Sequence, residues 1–82
     1  IQVYPNPNAG RFSISGSFNF KQDLSVEIYD AFGRLLEDRN YKGIYKLNDE
    51  FTINTYADGF YYLKIQNANG YQLIRKLIKH DK

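Results

Sequence analysis

The chain has 82 residues, 43% of them hydrophobic and 24% charged, with a formal charge of +2 and no cysteine. That length holds one small domain, the composition is that of a folded chain, and the lack of cysteine excludes disulfides and thiolate chemistry. No apolar run reaches the roughly 20 residues a membrane helix needs, and outside the C-terminus the basic residues are interleaved with acids instead of forming the stripe a nucleic-acid backbone demands.

The absence of methionine leads to the expectation that the chain is a piece of a longer precursor, with any export signal elsewhere. At the start, Val3-Tyr4-Pro5-Asn6-Pro7-Asn8-Ala9-Gly10 reads as a stiff lead-in that stays out of a sheet, since proline fixes φ and lacks an N–H donor. From Arg11 to Phe18 polar and apolar residues alternate, with Phe12, Ile14 and Phe18 on one side, the pattern of a half-buried strand. Leu24, Val26 and Ile28 repeat it, and Asp30-Ala31-Phe32-Gly33 supplies a turn.

A strand through Arg34 to Tyr41 is expected next, and Phe51 with Ile53 marks a short further one. Lys42 to Asn48 reads equally well as an edge strand or a loop. Tyr56-Ala57-Asp58-Gly59 turns the chain into Phe60 to Gln66, which carries aromatic residues on both faces and so reads as central. Asn69-Gly70 predicts a type I′ hairpin into a last strand over Tyr71 to Lys79. In that strand Leu73 and Leu77 share one face and Ile74 and Ile78 the other, so periodicity does not decide the inward side. Strands at roughly ten-residue spacing, with no sustained helical period, point to an all-β sandwich.

Asp58-Gly59-x-Tyr61 ahead of a buried strand is the pattern of a tyrosine corner, in which the phenol bonds backbone a few residues upstream. Four segments then occur in order: Tyr4-Pro5-Asn6-Pro7 with Gly10 and Phe12, Val26 through Asp30-Ala31-Phe32-Gly33 to Leu35, Ile53 to Gly59 with Tyr61, and Lys76-Leu77-Ile78-Lys79. Together they resemble the type A C-terminal sorting domain of the type IX secretion system, over residues 3 to 79. The family pattern falls on Pro5, Asn6, Pro7, Gly10, Asp30, Gly33, Gly59, Tyr61, Lys76 and Lys79, mostly turn and packing positions. One departure is Tyr56, where the family usually has an aliphatic residue.

The resemblance implies an immunoglobulin-like β-sandwich of about seven antiparallel strands in two sheets. It divides the chain into a lead-in over residues 1–10, the sandwich over 11–79 and a tail over 80–82. It further implies a non-catalytic signal that takes an upstream passenger from the periplasm through the outer-membrane translocon with an outer-membrane shuttle protein. A sortase-like cysteine peptidase then removes the domain, and the passenger is anchored on the cell surface or released. The family is Gram-negative and needs no cofactor. The alternative is an accessory immunoglobulin-like module of a secreted enzyme, binding carbohydrate or protein.

Charge collects at the C-terminus, where residues 75–82 carry a net +3 and the remainder −1. Arg75, Lys76, Lys79 and Lys82 are therefore candidates for partner recognition, against the plainer role of solubilising an edge strand. Phe60, Tyr62 and Tyr29 point away from Tyr61 and Leu63 on pleat grounds and join them as candidates. Pairing of two copies through an edge strand is also compatible with so small a sheet protein. Catalysis and metal binding lack support. His80 sits near the chain end without an orienting partner, Asp49 and Glu50, like Glu37 and Asp38, point to opposite faces of an extended chain, and no loop has EF-hand spacing.

Overall fold

In the computed structural model, which describes residues 1–80, the chain forms five antiparallel strands: β1 (Gln2–Tyr4), β2 (Arg11–Asp30), β3 (Leu35–Thr52), β4 (Gly59–Asn67) and β5 (Gln72–Lys79). The all-β, antiparallel character is as expected, but about seven strands in two separate sheets are not what forms. One sheet runs in the order β1-β2-β4-β5, with β3 on the other side of β2.

The reason lies in β2 and β3, which pair from Arg11↔Thr52 to Tyr29↔Leu35. Register shifts between Ser17 and Leu24 bend the pair where a loop would have split it, because a bulge kinks and twists a ladder without ending it. The sheet curls into a half-barrel. Lys42 to Asn48, open on sequence grounds, belongs to the continuous β3. The lead-in also differs from expectation. Gln2 to Tyr4 pair with Ser13 to Ser15, and only from Pro5 onward does the chain leave the sheet.

Curling brings the inward residues of every half together. Phe12, Ile14, Leu24, Val26 and Ile28 of β2 pack with Leu47 and Phe51 of β3, Ile53 just beyond it, Tyr61, Leu63 and Ile65 of β4 and Leu77 of β5. Each large apolar side chain so buried stabilises by about 1.5–3 kcal/mol. Phe12 and Phe51 are Cα partners whose rings stack at 5.7 Å and 12°. In β5 the leucine face points inward, with Leu77 buried and Leu73 packed against the core, while Ile74 is 58% exposed.

Two hairpins share one construction. In the first, Asp30 accepts Gly33 N–H and donates to Arg34 O; in the second, Asn67 accepts Gly70 N–H and donates to Tyr71 O. Asp30 Oδ1 takes the N–H of Phe32 and Arg34, and Asn67 Oδ1 takes those of Asn69 and Tyr71. The expected type I′ turn at Asn69-Gly70 is therefore corrected. Among the described residues no non-glycine residue has positive φ, while Gly33 and Gly70 lie at 85° and 90°, so each loop is a three-residue turn closed by a left-handed glycine. The Asx side chain, by holding two N–H groups, fixes that geometry.

Gly10 ends the lead-in at φ 114°, and a Cβ there would stand 2.8 Å from Asn54 Cα. Its carbonyl accepts Ile53 N–H at 2.7 Å, so neither backbone can retreat without breaking that bond. Gly10→Ala is expected to destabilise the domain by about 1–3 kcal/mol through this strain, read as a lowered denaturant midpoint; an unchanged midpoint would contradict the close approach.

Candidate functional site

A half-barrel has two open sides, and polar side chains close both. On the first, the bend in β3 brings its two halves into reach of each other. Arg39 Nη1 donates to Asp49 Oδ2 at 2.9 Å and to Glu50 O at 3.1 Å, its Nε donates to Glu37 Oε2 at 2.6 Å, and its guanidinium lies 3.9 Å from the Phe51 ring centre. Tyr41 hydroxyl donates to the same Asp49 oxygen at 2.5 Å. That bond, with the Arg39 contacts, holds the Asp49 carboxyl below its ordinary range, and burial together with the bond to Asp49 pushes Tyr41 up to about 12. Burial works against the Arg39 charge, yet the bonds to Asp49 and Glu37 keep it more firmly protonated than usual.

On the second side the lead-in lies along the outer edge of β5. Asn6 works as a surrogate strand, its Nδ2 donating to Lys76 O and its Oδ1 accepting Ile78 N–H, both at 2.9 Å. Asn8 follows with backbone bonds, its N–H to Ile78 O and its carbonyl from His80 N–H, in a parallel bridge to Lys79. Asn8 is 4% exposed, its Oδ1 holding Gly10 N–H at 2.8 Å while Nδ2 is buried with no partner among the described residues. Beneath lies Lys79, also 4% exposed, its ammonium 3.1 Å from Asp58 Oδ1.

The residues singled out from sequence therefore separate. Lys79 faces inward as part of this seam. Arg75 and Lys76 are exposed, and Lys82 lies outside the described residues. Phe60 and Tyr62 are 48% and 39% exposed on the outer face, joined there by half-buried Tyr29, whose hydroxyl donates to Glu27. That bond raises the Tyr29 phenol above its ordinary value. Tyr29, Tyr62 and Lys76 are successive cross-strand partners, and Lys76 Nζ sits 4.0 Å above the Phe60 ring.

The family-pattern positions are structural in their contacts. Pro5 and Pro7 flank Asn6, Gly10 packs on Asn54, Asp30 and Gly33 close the first hairpin, and Gly59 opens β4. The backbone N–H groups of Arg34 and Phe32 hold the Asp30 carboxylate below its usual range. Tyr61 hydroxyl donates to Ala57 O four residues upstream, the tyrosine corner expected of it, and Tyr56 packs its ring against Tyr61 at 6.5 Å.

Asp49 and Glu50 do point apart, Asp49 to Arg39 and Glu50 toward Arg11. Among the described residues no three His, Asp or Glu side chains converge as metal ligands. Sequence reasoning missed the Arg39–Tyr41–Asp49 cluster and the pairing of Lys79 with Asp58. The one available signal for the first was Gly43, which lies at φ 59° between the two halves of β3.

Residues 2–80 match the family model of the secretion system C-terminal sorting domain, and the chain belongs to that family. No curated protein matches it. Membership makes the chain a non-catalytic sorting domain of the type IX system, a secretion signal for a passenger upstream. A substrate of that system is secreted or displayed on the cell surface in Bacteroidetes. The accessory binding module is not the family it matches.

Because the folded-state pKa of Asp49 is depressed, the stability it contributes is present above the ordinary aspartate value of about 3.9 and disappears as pH falls below it. Asp49→Asn should therefore flatten the fall in melting temperature on acidification and shift one tyrosine titration downward, toward its ordinary value; a steep acid fall identical to wild type would rule out the cluster as its source. At the other seam, Asp58→Ala leaves the buried Lys79 ammonium without its carboxylate, whereas Lys79→Met removes the charge and keeps the stem. The first is expected to destabilise more than the second, since an uncompensated buried charge costs more than a missing pair, and denaturant titration of both variants gives the order.

Proposed function

We propose that the whole chain acts as one sorting domain, read by the export machinery through its folded outer face and last strand. The observation that carries this is the division of labour on β5. The inward-facing Leu77 and Lys79 belong to the core and the seam, Lys76 is exposed beside the outward Phe60, Tyr62 and Tyr29, and Arg75 is exposed where the opposite face reaches solvent. Charged groups of this kind steer a partner and set its register, and an aromatic patch supplies contact area. In this reading Lys79 acts from within by fixing the C-terminal end of β5, and Lys82 extends the basic stretch.

The partners follow from the family: the outer-membrane translocon and its shuttle protein during passage from the periplasm, then a sortase-like cysteine peptidase that removes the domain, leaving the passenger anchored or released. An exposed edge strand such as β3 also offers a route to a homodimer. An immunoglobulin-like likeness rests on the tyrosine corner and the wrapped core more than on strand count.

A reporter protein fused upstream of this chain and produced in a host with a working type IX system is expected in the medium or on the surface. The same fusion in a host lacking the translocon stays in the periplasm. Replacing Phe60 and Tyr62 together by serine should reduce export several-fold with little loss of thermal stability, because both side chains are already substantially exposed. Export at the wild-type level by that folded variant would remove the aromatic face from the reading.

A further inference from the structure

We infer that the uncovered half of the β5 edge, Gln72 to Lys76, accepts an extended acidic segment of a partner protein as an added strand, a mode of recognition that rests on the sorting function proposed above. The lead-in shows which backbone groups of β5 face away from β4. The carbonyls of Lys76 and Ile78 and the N–H groups of Ile78 and His80 all turn outward to Asn6 and Asn8. In an antiparallel ladder alternate residues bond to opposite sides, so the same row continues through Ile74 and Gln72. Among the described residues β5 pairs with no strand but β4, and the lead-in contacts begin only at Lys76. The N–H and carbonyl groups of Gln72 and Ile74, with the N–H of Lys76, form an open edge of the kind that templates another strand.

Charge identifies what fits. Residues 60–80 contain Lys64, Arg75, Lys76 and Lys79 and not one aspartate or glutamate. Lys79 is matched by Asp58, and elsewhere Arg11, Arg34, Arg39 and Lys42 all have carboxylate partners. Lys64, Arg75 and Lys76 have no ion pair among the described residues. A second copy is a poor occupant, because antiparallel self-pairing about Ile74 sets Arg75 opposite Leu73 and diagonal to its own counterpart, bringing two basic stretches together with no carboxylate in residues 60–80 to offset them. A segment that places carboxylates beside Arg75 and Lys76 and an apolar residue beside exposed Ile74 satisfies backbone, charge and apolar surface together. Any homodimer is left to the β3 edge.

The test uses the full chain and, as probe, a synthetic peptide with the run Glu-Glu-Val between threonines, which in antiparallel register sets glutamates opposite Lys76 and Arg75 and valine opposite Ile74. A lysine-for-glutamate version, the lysine–valine peptide, is the control, and binding is followed through the amide signals of the labelled protein by nuclear magnetic resonance. Shifts and slowed exchange are expected at Gln72, Ile74 and Lys76, weakening as salt is raised, with a lysine–valine peptide binding at least tenfold more weakly. Ile74→Pro removes one outward N–H at an edge position that tolerates proline, and Arg75→Glu with Lys76→Glu reverses the charge without touching the core. Each is expected to weaken peptide binding at least tenfold, and the charge-reversed pair carries the test should the proline variant fail to fold. No shift at the edge, or equal binding of the two peptides, overturns the inference. Reporter export is measured beside it: a wild-type fusion that stays in the periplasm sinks the sorting reading, while normal export by the folded charge-reversed variant sinks the edge alone.

Discussion

A sheet of five strands has no second layer to pack against, so it buries a core only by wrapping around itself, and wrapping leaves two seams. The rest of the structure depends on how these are closed. At one, a single strand bent on itself faces its own other half across Arg39, Tyr41 and Asp49. At the other, a proline-bearing lead-in that has little capacity for ladder pairing uses the Asn6 side chain and the Asn8 backbone to finish the edge of β5. Polar groups do this work because each seam meets solvent on one side and apolar rings on the other. A guanidinium stacked on Phe51 and a lysine stem reaching to Asp58 can satisfy both.

This arrangement joins the two ends of the described chain. The lead-in is tied to residues 76–80 by backbone and side-chain bonds, and Gly10 is tied to Ile53. The segment adjoining an upstream passenger is thus bonded directly to the strand that carries the basic residues. In the folded domain the lead-in and the last strand are therefore fixed to one another. This arrangement also explains the split among the C-terminal cations. Alternation along β5 sends Lys79 inward to the seam and leaves Lys76 over Phe60 on the outside.

Much of the fold was legible from particular residues. The period of two at Phe12, Ile14, Val26, Ile28, Leu63 and Ile65 named the core faces, because a buried strand face must be apolar at every second position. Asp30 with Gly33 and Asn69 with Gly70 marked both hairpins, and Tyr61 marked the corner. What misled was local chemistry taken without its neighbours. Asn69-Gly70 has the composition of a type I′ turn, yet Asn67 two residues earlier captures the loop N–H groups and imposes a different closure. Lys42 to Asn48 stays open between edge strand and loop on sequence grounds because its neighbours in space, not in sequence, keep it extended.

The sequence by itself determined the strand periodicity, the turn residues, the lack of cysteine chemistry and the ordered motifs of a sorting domain, since each is set by residues close together along the chain. Only the tertiary structure decided that β2 and β3 run unbroken from one half to the other, that the leucine face of β5 turns inward, and that Lys79 is buried against Asp58 while Arg75 and Lys76 stay exposed. Those outcomes depend on contacts across 21 to 72 positions of chain, and the curl that creates them comes from backbone register shifts with no signature in side-chain order.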